Sequence, residues 1–190
     1  MTLIDLIRQL SRPLDPVPTD LAADLHALAV KAVVFDVYGT LFISGSGDIG
    51  LASETGSAQA LADALQEAGF SGDLAAAGTQ GVDRLSGLIR ERHAHCRSQG
   101  VQFPEVEILD VWRQLLAELR AGNLLDSAAD AAALRLVAVG YECRVNPVWP
   151  MPGLPRLLHY TAQSGLRMGI VSNAQFYTPL LFEAFLGQPI

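Results

Sequence analysis

Two short segments carry the residue types that chemistry needs. In Val33-Val34-Phe35-Asp36-Val37-Tyr38-Gly39-Thr40-Leu41, an aspartate follows an apolar run, and Gly39 has the freedom in φ that a sharp turn requires. A carboxylate at the end of a buried strand is held rigidly, yet it reaches the sheet edge where α/β proteins bind ligands. That placement suits covalent catalysis with Asp36 as nucleophile, and amides turning at Tyr38 to Thr40 can point at an anionic group. In Gly169-Ile170-Val171-Ser172-Asn173, a second apolar run ends in a hydroxyl and an amide. Ser172 can hydrogen-bond an anion, and a helix beginning just beyond it would add free N–H groups and a positive dipole end. Each residue also has a plainer use, Asp36 as the cap of a turn, Ser172 and Asn173 as helix N-caps. The occurrence of both segments in one chain is what argues for a site.

The elements that must position these residues are legible as periodicity. Lys31 to Asp36 predicts a strand buried on both faces of a parallel sheet, and Leu166 to Val171 predicts a second strand. After the first strand, Gly39, Ser44, Gly45, Ser46, Gly47 and Gly50 read as a loop or flap. Helical spacing then governs Ala58 to Ala68, Val82 to His95, Val106 to Leu119 and Ala128 to Val139, an all-helical block. Pro147, Pro150, Pro152 and Pro155 mark a return, followed by a helix over Leu154 to Ser164 and, past the second strand, one over Tyr177 to Phe185. Upstream, a helix over Thr2 to Leu10 stops at Pro13, Pro16 and Pro18, and a short helix runs from Thr19 and Asp20 through Leu21, Leu25 and Leu28.

Composition narrows the partners. Of the 190 residues 50% are apolar and 17% charged, which is enough apolar surface to drive a packed core and argues against a disordered chain. Thirteen basic residues against 20 acidic ones give a net charge of −7, which repels phosphate backbones and anionic lipid, so neither nucleic acid nor membrane is expected as a partner. The apolar stretch Ala27 to Phe42 is interrupted by Lys31 and Asp36 and is too short to cross a bilayer. Cys96 and Cys143, far apart and without zinc-type spacing, point to a reducing cytoplasm.

The two segments resemble those of the haloacid dehalogenase superfamily of hydrolases. Asp36 matches the family's nucleophile, Thr40 the threonine of its first motif and Ser172 the hydroxyl residue of its second; Pro152 to Leu158 looks like the helix leading into the second strand. The resemblance implies an α/β fold with a Rossmann-like parallel sheet core, incomplete here, and an inserted all-helical cap. Its divisions are a helical N-terminal extension over 1–30, a partial core over 31–49 and 147–190, and a cap over 50–146. It implies catalytic Asp36, Tyr38 and Thr40, substrate-binding Ser172 and Asn173, and a small anionic substrate. For a phosphate monoester, Mg²⁺ on Asp36 is implied; for a 2-halo acid, no metal. Family phosphatases carry a proton-donating aspartate where this chain has Tyr38, a weaker acid, whereas the dehalogenases have tyrosine there, since a departing halide needs no proton. Those dehalogenases also use a cap arginine, for which Arg84, Arg90 and Arg92 are the nearest substitutes.

Too few residues follow Asn173 to complete another βαβ unit of roughly 30 residues, so the chain reads as a truncated or split product. The alternative to a working hydrolase is therefore a catalytically incomplete fragment or a binding or assembly remnant, with a second chain supplying the missing strands. His93, His95 and Cys96 are metal-ligand types, yet they do not line one helical face and read as a solvated helix end. Val111, Trp112, Leu115, Leu116 and Leu119 read as apolar core, and the three arginines as the wet face of a helix unless they close over substrate.

Overall fold

The computed structural model describes residues 1–18, 29–45 and 54–188. Helix α1 (Leu3–Leu10) opens with a capping box, Thr2 accepting from the Asp5 amide while the Asp5 carboxylate accepts from the Thr2 N–H. It buries Leu6 and Ile7. Strand β1 (Ala32–Phe35) is followed by β2 (Phe42–Ser44), then by helices α2 (Glu54–Glu67), α3 (Leu74–Ser98), α4 (Ile108–Ala121) and α5 (Ala131–Val145). Strand β3 (Val148–Pro150), α6 (Leu154–Gln163), β4 (Arg167–Ile170) and α7 (Thr178–Leu186) complete the order. The chain is thus mixed α/β, mostly helical, with a parallel pair of strands that brackets the helical run. The short helix expected from Thr19 to Leu28 lies outside the described residues.

The parallel pair forms as its sequence predicts, β1 against β4 in the register Ala32↔Arg167 to Phe35↔Ile170. Its burial does not. The expectation of a strand covered on both faces is overturned, because side chains along β1 alternate between exposed and half-buried. Val34 is 63% exposed on one face, and on the other Met168, beside Val33, is still 45% exposed, so the apolar run reflects partial cover of one face, not cover of both. The covered face is the one holding Phe35 and Ile170, which pack against the buried core.

A second correction concerns Ser44 at the start of the glycine-rich stretch, whose Ser46, Gly47 and Gly50 lie outside the described residues, and the proline-rich return. Read as a loop and a turn, they contribute an antiparallel ribbon, Phe42↔Pro150, Ile43↔Trp149 and Ser44↔Val148. Pro150 is tolerated because the ladder bond beside it runs from the Met151 amide to the Leu41 carbonyl, and position 150 turns its N to the outer edge of the ribbon. Helix α3 also begins well before Val82, capped by Asp73, whose side chain accepts from the Ala76 amide. Its first turns carry small residues in place of an apolar stripe. At Gly78 an added Cβ would fall 2.3 Å from the Ala58 carbonyl oxygen, so the glycine lets α3 lie directly on α2. The predicted stripe of α4 is buried as expected, including Val111, Trp112, Leu115, Leu116 and Leu119.

Candidate functional site

The parallel pairing decides where the two chemical segments meet. The Val171 amide donates to the Phe35 carbonyl at 3.0 Å, so both chains leave the same end of the sheet side by side. Asp36, Tyr38, Ser172 and Asn173, distant in sequence, line one cavity of about 450 Å³ there. Thr40 does not line it; it sits exposed in the turn that Gly39 opens with φ of 77°. The amides of that turn are occupied, Gly39 donating to Phe42 O at 2.7 Å and Thr40 to Val37 O at 3.3 Å. The polar side chains that the second segment brings to this cavity are those of Ser172 and Asn173. Nor does Ser172 cap a helix: α7 starts at Thr178, and Tyr177 holds its N-cap position. The helix-terminus donors expected just after Ser172 therefore lie several residues further along the chain.

Tyr38 is pinned rather than poised. Its hydroxyl shares a 2.8 Å hydrogen bond with the Thr178 hydroxyl, and burial pushes its phenol up to about 12 against the opposing effect of that bond. Such a group holds its proton at neutral pH and gives it up poorly to a leaving oxygen. Asn173 extends across the cavity, its Nδ2 donating to Glu105 Oε1 at 3.1 Å.

Sequence reasoning missed the group at the cavity floor. Ser44 Oγ donates to Asn146 Oδ1 at 2.8 Å, Asn146 Nδ2 donates to Glu142 Oε1 at 3.0 Å, and Tyr177 also hydrogen-bonds the Glu142 carboxylate. Burial raises the Glu142 carboxyl above its ordinary range, with the two hydrogen bonds opposing, and burial drives the Tyr177 phenol far up. The helical spacing read over Ala128 to Val139 stops short of Glu142, whereas α5 runs to Val145. Continuing the helical spacing one turn past Ala138 would have brought Glu142 to the inward face.

The Glu142 shift has a stability consequence. A carboxyl whose folded pKa lies above its unfolded value stabilises the fold fully below about 4.5, and that contribution is lost as pH rises through the folded value. Glu142→Gln keeps an acceptor for Asn146 and a partner for Tyr177 without any ionisation. We expect it to unfold roughly 2–4 °C above wild type at neutral pH, the shift that about 1 kcal/mol gives a chain of this size, and the gain to disappear in acid. Thermal unfolding between pH 4 and 8 checks this; parallel curves for the two proteins would show that Glu142 does not titrate with folding.

The arginines separate by environment. Arg84 is held by Glu118 and Glu91, with 2.6 Å contacts to each, and Arg92 donates to Gln114 Oε1 at 3.1 Å and to Asp110 O at 3.2 Å. Arg90 instead lines a second cavity, between α3, α4 and α5. His93, His95 and Cys96 occupy the last turns of α3, where His95 Nε2 meets the Gln99 side chain at 3.1 Å. No group of three or more acidic, histidine or cysteine side chains among the described residues is arranged to hold a metal ion. Of the carboxylates in the Asp36 cavity, Glu142 is occupied by Asn146 and Tyr177 and Glu105 by Asn173, so the donor set does not fit Mg²⁺. Among the described residues no helix is long and apolar enough to cross a membrane. Comparison with protein-family models, curated proteins and solved structures finds no match to this chain.

Proposed function

We propose that the chain is a hydrolase of the haloacid dehalogenase type, acting through Asp36 on a small anionic substrate, a phosphate monoester or a 2-halo acid. The observation that carries this reading is the convergence of Asp36, Ser172 and Asn173 on one cavity at the end of the β1–β4 pair. In this reading 31–49 and 147–190 are a partial Rossmann-like core and 50–146 an inserted cap. A carboxylate oxygen of Asp36 attacks phosphorus, or the carbon bearing halogen, and the leaving group departs with the bonding pair. Ser172 and Asn173 donate hydrogen bonds to the anionic part of the substrate and hold it in line. Water then cleaves the ester formed on Asp36. The high pKa of Tyr38 supports the halide branch, in which nothing need be protonated as it leaves. Mg²⁺ would serve the phosphate branch alone, and the hydrogen-bonded carboxylates of this cavity do not fit it.

A single turnover in H₂¹⁸O, with enzyme in excess over substrate, tests the proposal. With a 2-halo acid, water that attacks the acyl carbon of the ester leaves the label in the Asp36 carboxylate, where peptide mass spectrometry finds it, and label in the hydroxy acid alone would mean direct attack by water and would end the nucleophile reading. With a phosphate monoester made chiral at phosphorus, two displacements through Asp36 retain configuration, whereas inversion would mean direct attack by water and would end that reading too.

A second reading is favoured by the uncovered sheet. Val34, Met168 and Val171 are 63%, 45% and 72% exposed, and both outer edges of the β1–β4 pair are unpaired among the described residues. An incomplete fragment or assembly remnant, completed by a second chain that supplies further strands, would present this surface. It predicts no turnover from the isolated chain and self-association on size-exclusion chromatography; a monodisperse, active monomer excludes it.

A further inference from the structure

The Glu142–Tyr177 pair has a second side. Away from the Asp36 cavity, both residues also line a cavity of about 300 Å³ enclosed by α3, α4 and α5. Its wall is built from Val82, Leu85 and Ile89 on α3 and from Ile108 and Trp112 on α4. Ser57, Ser86 and Tyr141 line it too, so the cavity pairs a polar side with an apolar one that takes an aromatic ring or a short alkyl chain.

Three charged side chains line the cavity, Arg90, Asp83 and Glu142, the last of them held by Asn146 and Tyr177. Arg90 lines the cavity from its exposed end and, unlike Arg84 and Arg92, has no ion pair or side-chain hydrogen bond among the described residues. Asp83, the other charge on this face, sits two helical turns earlier, about 10 Å along the axis, and forms no salt bridge with Arg90. A guanidinium presents a planar fork of donors that matches a carboxylate, and its position beside an apolar wall selects a molecule that offers both.

We propose that this cavity is a binding site for a small amphipathic carboxylate, its anion held by Arg90 and its apolar body laid against the half-buried Val82 and Ile89, above the buried Trp112 and Ile108. The site does not depend on the Asp36 chemistry. Its occupant would touch the face of the Glu142–Tyr177 pair opposite the Asp36 cavity.

Trp112 makes binding visible. Titrating the full chain with 3-phenylpropanoate is expected to change tryptophan fluorescence saturably, and Trp112→Phe is expected to remove the change although Trp149 remains. The neutral isostere 3-phenylpropanamide should bind about ten-fold more weakly or worse, as loss of a charge-assisted bidentate contact implies. Arg90→Gln should bring the carboxylate down to the affinity of the amide, and because Arg90 is exposed and unpaired the variant should fold normally. Arg84→Gln, which alters an arginine already bound to Glu118 and Glu91, should leave affinity within about two-fold. Asp36→Asn should bind the carboxylate like wild type, which separates this site from the hydrolase reading. Equal affinity for acid and amide, an unchanged Arg90→Gln, or the absence of saturable binding would each overturn the proposal.

Discussion

Asp36→Asn abolishes turnover and leaves the fold unchanged: that is the expected result, and both halves follow from how the residue is held. The amide has the shape of the carboxylate but lacks its nucleophilic charge, so the covalent route closes, and a loss of about 10³-fold or more is expected. The fold is indifferent because Asp36 is exposed and its carboxylate makes no hydrogen bond or ion pair with another described residue. Surface substitutions free of such contacts usually change stability by no more than about 0.5 kcal/mol. Steady-state assays on a panel of phosphate monoesters and 2-halo acids, run beside thermal unfolding, check the pair of claims. A variant with activity within a few-fold of wild type removes Asp36 from its role. A variant that loses activity together with several degrees of stability would make the residue structural instead.

The site was legible in the sequence to the extent that its information is local. Asp36 and Ser172 each follow an apolar run and precede a break, and such patterns survive without knowledge of what packs where. Helices with an apolar stripe were equally plain, α4 above all, because period and burial coincide along it. The start of α3 was hidden, since Ala75, Ala76, Ala77 and Gly78 form no stripe. Their small size is the feature that matters, because it brings α3 onto α2 at Ala58. The ribbon was hidden for another reason: three residues beside glycines, and three between prolines, become strands only through each other. An apolar run reports that a residue prefers burial, and the exposed Val34 and Met168 show that it cannot report what covers it. Glu142 was missed because a carboxylate near a helix end looks solvated until its partners Asn146 and Tyr177 are placed around it.

Phe42→Ala is expected to destabilise the chain by about 3–5 kcal/mol, the largest stability effect foreseen for a residue close to the site. Phe42 is fully buried, and its ring meets Phe182 edge-on at 5.1 Å and Phe185 at a tilt at 5.9 Å, both on α7. Truncation removes the ring and its aromatic contacts and leaves a void that α7 and the ribbon cannot both close, since Trp149 on β3 also packs on Phe185 at 5.3 Å. The same residue closes the turn behind Asp36: its amide donates to Val37 O at 2.9 Å and its carbonyl accepts from Gly39 at 2.7 Å. Helix α7 is held from its far side as well, where Arg8 donates to the carbonyls of Glu183 and Ala184. Loss of the Phe42 ring therefore frees the near side of α7, the side that carries Thr178 to Tyr38. Phe42→Leu, which refills most of the volume, should cost less than about 1.5 kcal/mol. Urea unfolding of the three proteins separates the cases. A loss below about 1 kcal/mol for the alanine variant would show that the contact with α7 does not hold the turn, and the rigidity of Asp36 would then have to come from the β1–β4 pair alone.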